Sequence, residues 1–185
     1  MLLSQTQLLH SSVEIGSISE VRGNAQVLRD KAYGAELQFD IQQMDDVRTE
    51  SGRVAITFQD ESTVKLTEHS KLVIDEYIYD PDPSKSKMAL KFASGTARFI
   101  TGKFNNKSNI SIRTPTADIA IRGTDFTCTV DELGRSLVIL LPDENGISSG
   151  EILVSTAMGS VTLNKPYQAT TVSVYENNPT KPVTL

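Results

Sequence analysis

Apolar residues in this chain recur at every second position, a period that an extended backbone satisfies and a helix does not. Val54, Ile56 and Phe58 fall on one side of a strand, with Arg53, Thr57 and Gln59 around them. Val64 and Leu66 follow after Gln59-Asp60-Glu61-Ser62, so a short hairpin is expected there. Leu72, Ile74, Tyr77 and Tyr79 mark a longer extended stretch. It is stopped by Asp80-Pro81-Asp82-Pro83, which neither a helix nor an inner strand accommodates. Met88 to Phe92 and Thr96 to Ile100 flank Ser94-Gly95, a compact turn signal. Ile110, Ile112, Ile119 and Ile121 supply two strands around Thr114-Pro115-Thr116, and Phe126, Cys128 and Val130 then alternate with threonines. Leu137 to Leu141, Ile152 to Val154, Val161 to Leu163 and Val172 to Val174 complete the series. Turns recur roughly every 8–12 residues, the spacing of a sandwich, roll or solenoid.

Two local patterns refine this. Odd positions are apolar before Arg122-Gly123-Thr124 and even positions after it. A one-residue slip of phase demands a bulge or corner, and Gly123 is the residue best able to turn it. There is also an internal echo. Val47-Arg48-Thr49, then Val54-Ala55-Ile56 and Asp60, match Ile112-Arg113-Thr114, then Ile119-Ala120-Ile121 and Asp125, at the same spacing. Val154-Ser155-Thr156 with Val161-Thr162-Leu163 is a weaker third copy. Stacked β units would write such a repeat.

The 185 residues suit one domain with modest extensions. With 38% hydrophobic and 22% charged residues the chain is expected to be ordered. Tryptophan is absent, so the core must rest mainly on Val, Ile and Leu. A net charge of -5 argues against nucleic-acid binding, which needs clustered cations. One cysteine permits no internal disulfide. No stretch approaches the ~20 apolar residues of a membrane span. The first ten residues have neither a basic start nor an apolar run, so no routing through general secretion is expected.

Charge is blocked along the chain. From Glu36 to Asp82 twelve acidic residues face four basic ones; from Ser84 to Arg122 eight basic residues face only Asp118. Either neighbouring strands pair these charges locally, or an acidic face of one subunit meets a basic face of the next. In the second reading Lys85, Lys87, Lys91, Lys103 and Lys107 are the contact residues.

Phe58-Gln59-Asp60-Glu61-Ser62, Leu66 and Ser70 to Tyr77, Gly95-Thr96-Ala97-Arg98-Phe99, and above all Ile112-Arg113-Thr114-Pro115-Thr116-Ala117 with Ile121-Arg122-Gly123-Thr124-Asp125-Phe126 resemble the FecR-type domain. The resemblance runs from about Val13 to Pro182. It implies an all-β fold, a FecR-like β-solenoid or roll of short stacked strands, with a β-sandwich as the alternative. Residues 1–12 are then a leader, 13–175 the domain and 176–185 a tail. The best-known members of this family sit in the bacterial periplasm and relay the state of an iron-siderophore transporter to a sigma factor. Stand-alone members also occur in phage genomes.

Catalytic chemistry is poorly supplied. His10 lies in the leader, His69 sits at a turn beside Glu68, and Cys128 alternates with core residues. No nucleophile elbow, phosphate loop, zinc motif or paired cysteines occur. The acidic turns at Asp80, Asp82 and Asp143-Glu144-Asn145-Gly146 lack the spacing of a dedicated calcium loop. No enzyme, cofactor or metal is expected. Arg113, Thr114, Arg122, Gly123, Thr124 and Asp125 form the structural motif, with each arginine expected to tie turn carbonyls or pair with Asp118 or Asp125. Leader and tail are poor candidates for self-packing, so partner subunits are expected to hold them. Together these readings favour a non-enzymatic subunit of a phage tail or baseplate, located in the virion. The alternative is an extracytoplasmic sensor or ligand-binding module of iron signalling.

Overall fold

A strand-rich chain can bury its aliphatic stripe by laying two pleated sheets face to face. The computed structural model describes residues 13–103 and 109–185. Its first strands are β1 (Glu14–Arg22), β2 (Ala25–Leu28), β3 (Ala32–Gly34), β4 (Asp40–Gln42), β5 (Asp46–Thr49) and β6 (Arg53–Phe58). Next come β7 (Thr63–Leu66), β8 (Lys71–Ile78), β9 (Lys87–Ile100), β10 (Asn109–Arg113), β11 (Asp118–Arg122) and β12 (Asp125–Val130). The last are β13 (Ser136–Leu140), β14 (Glu151–Thr156), β15 (Gly159–Leu163), β16 (Gln168–Val172) and β17 (Val183–Thr184). One 3-10 turn, Pro83–Lys85, follows the expected stop after β8.

The first sheet runs β4-β1-β6-β7-β9-β12-β13-β16-β17. The second runs β3-β2-β5-β8-β9-β10-β11-β14-β15. β9 belongs to both, pairing from Lys87 to Ser94 in the second and from Gly95 to Ile100 in the first. Among the described residues every ladder is antiparallel except β9–β10. From β6 onward the chain lays strands mostly in pairs, alternating between the sheets. This is the expected roll of short stacked strands, flattened into two layers and open at its edges. β6 and β7 form the expected hairpin.

The core lies between the layers. Ile18, Ile56, Leu66, Leu72, Ile74, Leu90, Ile112, Ile119 and Leu140 are among its fully buried side chains. Each contributes about 1.5–3 kcal/mol. Aromatic contacts bridge the sheets: Phe58 stacks on Tyr77 at 5.3 Å, and Phe92 meets Phe99 edge-on at 5.9 Å. Phe99 also stacks on Phe126 at 5.1 Å.

Ser94-Gly95 is not the compact turn its composition suggests. β9 passes through it unbroken and changes sheet there. Gly95 has φ +95, and a Cβ on it would stand 2.5 Å from the Ser70 Cα. The Ser70 hydroxyl donates to the Thr96 carbonyl at 3.2 Å and accepts from the Thr96 amide at 3.2 Å, locking the bend. The buried phase shifts there from Met88, Leu90 and Phe92 to Ala97 and Phe99. Gly123, at φ +57, lies between β11 in the second sheet and β12 in the first, where the sequence changes phase. Gly150 crosses it so closely that a Cβ would overlap the Arg122 and Gly123 carbonyls.

The internal echo does not fold alike. β5 to β6 crosses between sheets through Ser51-Gly52, whereas β10 to β11 is a hairpin within one sheet, as is β14 to β15. Pro115 sits in the β10–β11 turn, where its missing N–H costs no ladder bond. The tail also departs from expectation. β17 pairs with Gln168 and Ala169 of β16, and the Thr180 amide donates to the Thr171 carbonyl at 2.9 Å. The leader, 1–12, lies outside the described residues.

Gly95→Ala should cost about 2–4 kcal/mol, because strain and the Ser70 contact act together. Urea denaturation should show a lower midpoint with unchanged slope.

Candidate functional site

The turn between β10 and β11 is built from Thr114-Pro115-Thr116-Ala117. Thr114 is buried, and its hydroxyl accepts from the Ala117 amide at 3.0 Å. The Ser136 hydroxyl, fully buried at the start of β13, lies 2.7 Å from both the Thr114 and Thr116 hydroxyls. Thr116 also donates to the Gly134 carbonyl at 3.0 Å. Three hydroxyls therefore fasten a second-sheet hairpin to the start of β13, an inner strand of the first sheet. Ser136 escaped sequence reading because its role depends on strands 20 or more residues away.

Beside this turn opens a cleft of about 580 Å³. Its walls come from the β10–β11 turn, the β14–β15 turn at Thr156 to Met158, and Ser173 to Asn177 beyond β16. The Thr156 hydroxyl holds the Asn177 carbonyl, closing the floor. Met158, Val174, Tyr175 and nearby Leu133 are exposed. Hydroxyl groups with exposed apolar side chains suit a polypeptide or small polar ligand.

The second half of the motif fixes the β11–β12 corner. The Thr124 amide donates to the Thr101 hydroxyl at 3.0 Å, and that hydroxyl donates to the Thr124 carbonyl at 2.9 Å. The Thr124 hydroxyl is the buried side-chain oxygen that lacks a hydrogen-bond partner among the described residues. Asp125 receives a bidentate pair from Arg98 at 2.8 and 2.6 Å, which raises the Arg98 pKa against the opposing effect of burial. Arg122 instead pairs with Glu151 at 3.5 Å across the β11–β14 ladder. Arg113 pairs with Asp118 at 2.8 Å across the mouth of its hairpin.

The basic block meets acids within the chain. Lys85 lies 3.9 Å from Asp82, Lys87 2.6 Å from Glu76, Lys91 2.9 Å from Asp75 and Lys103 2.6 Å from Glu61. These pairs are largely exposed, so they stabilise little, but they leave no lone cationic stripe among these four lysines. Lys107 lies outside the described residues.

A buried knot that sequence reading missed sits at the β6–β7 turn. Asp60 is fully buried, accepting from the Tyr77 hydroxyl at 2.8 Å and from the Ser62 hydroxyl. The Tyr77 oxygen accepts from the Asp60 amide at 2.9 Å, and Ser62 from the Gly102 amide at 2.9 Å. Burial raises the Tyr77 phenol far above its ordinary value, with the Asp60 charge adding to it. A second buried carboxylate, Asp45, holds Arg29 bidentately at 2.7 and 2.8 Å. Both groups tie loops to the core.

The thiol and imidazole candidates differ in exposure. Cys128 is fully buried in β12, and burial pushes its thiol up to about 12. His69 is exposed, at φ 55, with no acid or nucleophile placed on it by the described hydrogen bonds. His10 lies outside the described residues. At the acidic turns the carboxylates cap backbone: Asp82 accepts from the Ser84 amide at 3.1 Å, and Asp143 from Asn145 and Ile147 at 2.8 and 3.1 Å. Among the described residues no three metal-ligating side chains converge. Nor is any described helix long and apolar enough to cross a membrane.

Residues 45–162 match the family model described as FecR protein. No curated protein matches the sequence. Two crystal structures of a candidate anti-sigma factor from Parabacteroides distasonis, at 1.65 and 2.50 Å resolution, share the fold. Each aligns with a TM-score of 0.57 and 14% identity over 73% of this chain, which spans 57% of theirs. The family and its described neighbours overturn the expected phage tail or baseplate subunit and its virion location. They favour the signalling alternative. The physical ground for the assembly reading weakens too, since the tail is held by β16 rather than awaiting a partner subunit.

Two predictions follow from the geometry. Thr114→Val should cost about 1–3 kcal/mol by stranding the Ala117 amide and removing one of the two hydroxyl partners of Ser136, and limited proteolysis should then cut first at this turn. For Cys128, the unfolded thiol, near 9.0, ionises before the folded one at about 12. Its contribution is complete below pH 9 and is lost as pH rises towards 12. Cys128→Ala should therefore lose stability less steeply over that window in urea titrations.

Proposed function

The chain belongs to the FecR family, and on that premise we propose that it is a protein-contacting β module of an extracytoplasmic signalling relay of the anti-sigma type. The observation that carries this reading is the family match across 45–162, which takes in the whole centre of both sheets. The described neighbours support it by fold and by their printed description. The site chemistry is compatible. The motif residues position backbone and close corners, which is compatible with a module that works by recognition. The cleft at the hairpin turns is the place where a partner segment would lie.

Such a module works by rigidity. Two sheets sharing β9 cannot slide past each other without breaking that strand, so a contact at the turns moves the domain as one body. The signal is then a change of docking, with no covalent step.

Deleting residues 45–162 from the chromosomal gene should alter transcripts of a discrete gene set that includes an extracytoplasmic sigma factor, read by RNA sequencing. Cell fractionation should place the protein outside the inner membrane. An unchanged transcriptome, with the protein recovered in the cytoplasm or in particles, would sink the proposal.

A further inference from the structure

Among the described residues four strands form the edges of the two sheets. β3 and β4 have three residues each and β17 has two, so each offers an incoming strand little to pair with. β15 differs. Gly159-Ser160-Val161-Thr162-Leu163 has five residues without charge, proline or bulge, and its ladder to β14 is regular from end to end. Soluble proteins ordinarily block such an edge with one of those devices. From Ser160 to Leu163 β15 has none, although the tail's Asn178 side chain lies close to Gly159, and β14 is its sole partner strand among the described residues. Exposed apolar side chains flank it: Leu153 on β14, Met158 in the turn before it, and Tyr167 in the loop leaving it.

We propose that β15 pairs antiparallel with β15 of a second copy, joining their second sheets across a two-fold axis. The strand is self-complementary in the register centred on Val161. Val161 then faces its own copy, Ser160 faces Thr162, and Gly159 faces Leu163. Ser160 and Thr162 are the exposed, outward residues, so each crossing of the axis makes a Ser–Thr pair on the solvent face. Such pairs contribute about 0.2–1 kcal/mol apiece. Val161, partly buried against the core, continues the inner layer from one copy to the next. No like charges meet, since Lys165 lies beyond the paired stretch. A two-fold interface requires a patch that matches itself, and this strand does. Its short ladder makes the dimer weak and concentration-dependent.

Sedimentation velocity of the full chain, from low micromolar to several hundred micromolar, should show a monomer–dimer equilibrium. Thr162→Lys places a charge on the outward face, where it does not disturb the core. It should weaken dimerisation by at least about tenfold while leaving circular dichroism and the thermal midpoint of the monomer unchanged. The double variant Ser160→Cys/Thr162→Cys should yield a covalent dimer on oxidation, with buried Cys128 silent. A monomer at every concentration overturns the proposal, as does a dimer indifferent to Thr162→Lys. So does an edge that takes up an extended foreign peptide while the chain itself stays monomeric. All of these are read on the purified protein, so they stand or fall apart from the relay reading.

Discussion

A single strand shared by two sheets is the constraint on which this molecule depends. β9 gives its first half to one layer and its second half to the other, and the bend at Gly95 sets their separation. Ser70 clamps that bend through the backbone of Thr96. Because Phe92 and Phe99 stand on either side of it and touch, the covalent continuity of one strand and the packing of the core are the same event. The crossing of Gly123 by Gly150 repeats the arrangement with two segments in place of one. Sheets held this way gain their registry from backbone contacts too close for any side chain.

Polar groups finish what the apolar layer begins. The Thr114–Thr116–Ser136 hydroxyls, the Asp60–Tyr77–Ser62 knot and the Arg29–Asp45 pair each sit where a loop must be tied to a sheet. A buried polar atom without a partner costs about 1–3 kcal/mol, so each group is satisfied from several directions. The surface pairs differ in kind: Lys87 with Glu76 and Lys91 with Asp75 neutralise neighbouring strands without locking them. The molecule thus keeps its rigid chemistry inside and leaves the turns and one sheet edge available for contact.

Much of the fold was legible because period-two alternation is a local property. The strands around Val54, Ile74, Ile112, Ile121 and Cys128 could be read directly, as could the β6–β7 hairpin and the phase change at Gly123. What could not be read was which sheet each strand joins. Ser94-Gly95 has the composition of a turn, yet its meaning depends on Ser70, which only the folded chain brings alongside. Val47 to Asp60 and Ile112 to Asp125 share Arg, Thr, Ala, Ile and Asp in register, with valine exchanged for isoleucine, yet the first crosses between sheets through Ser51-Gly52 while the second turns back within its sheet. At the candidate site, Thr114 and Pro115 were visible as a motif. The parts played by Ser136 and by the segment from Ser173 to Asn177 were not, because their contribution is made across the fold. The blocks of charge were visible too, but only the register of β8 against β9 reveals that they cancel locally.

The dependence of both layers on β9 bears on how the chain is made. A ribosome delivers residues in order, so β7 and β8 emerge before the strand that both of them require. Until Lys87 to Ile100 has been synthesised, two nascent borders stand open at once, one per layer, and each is a template for unwanted association. The Pro81 and Pro83 interruption falls in that interval. Neither proline can donate a ladder hydrogen bond, so β8 stops short there and its open border stays no longer than the stretch β9 will cover.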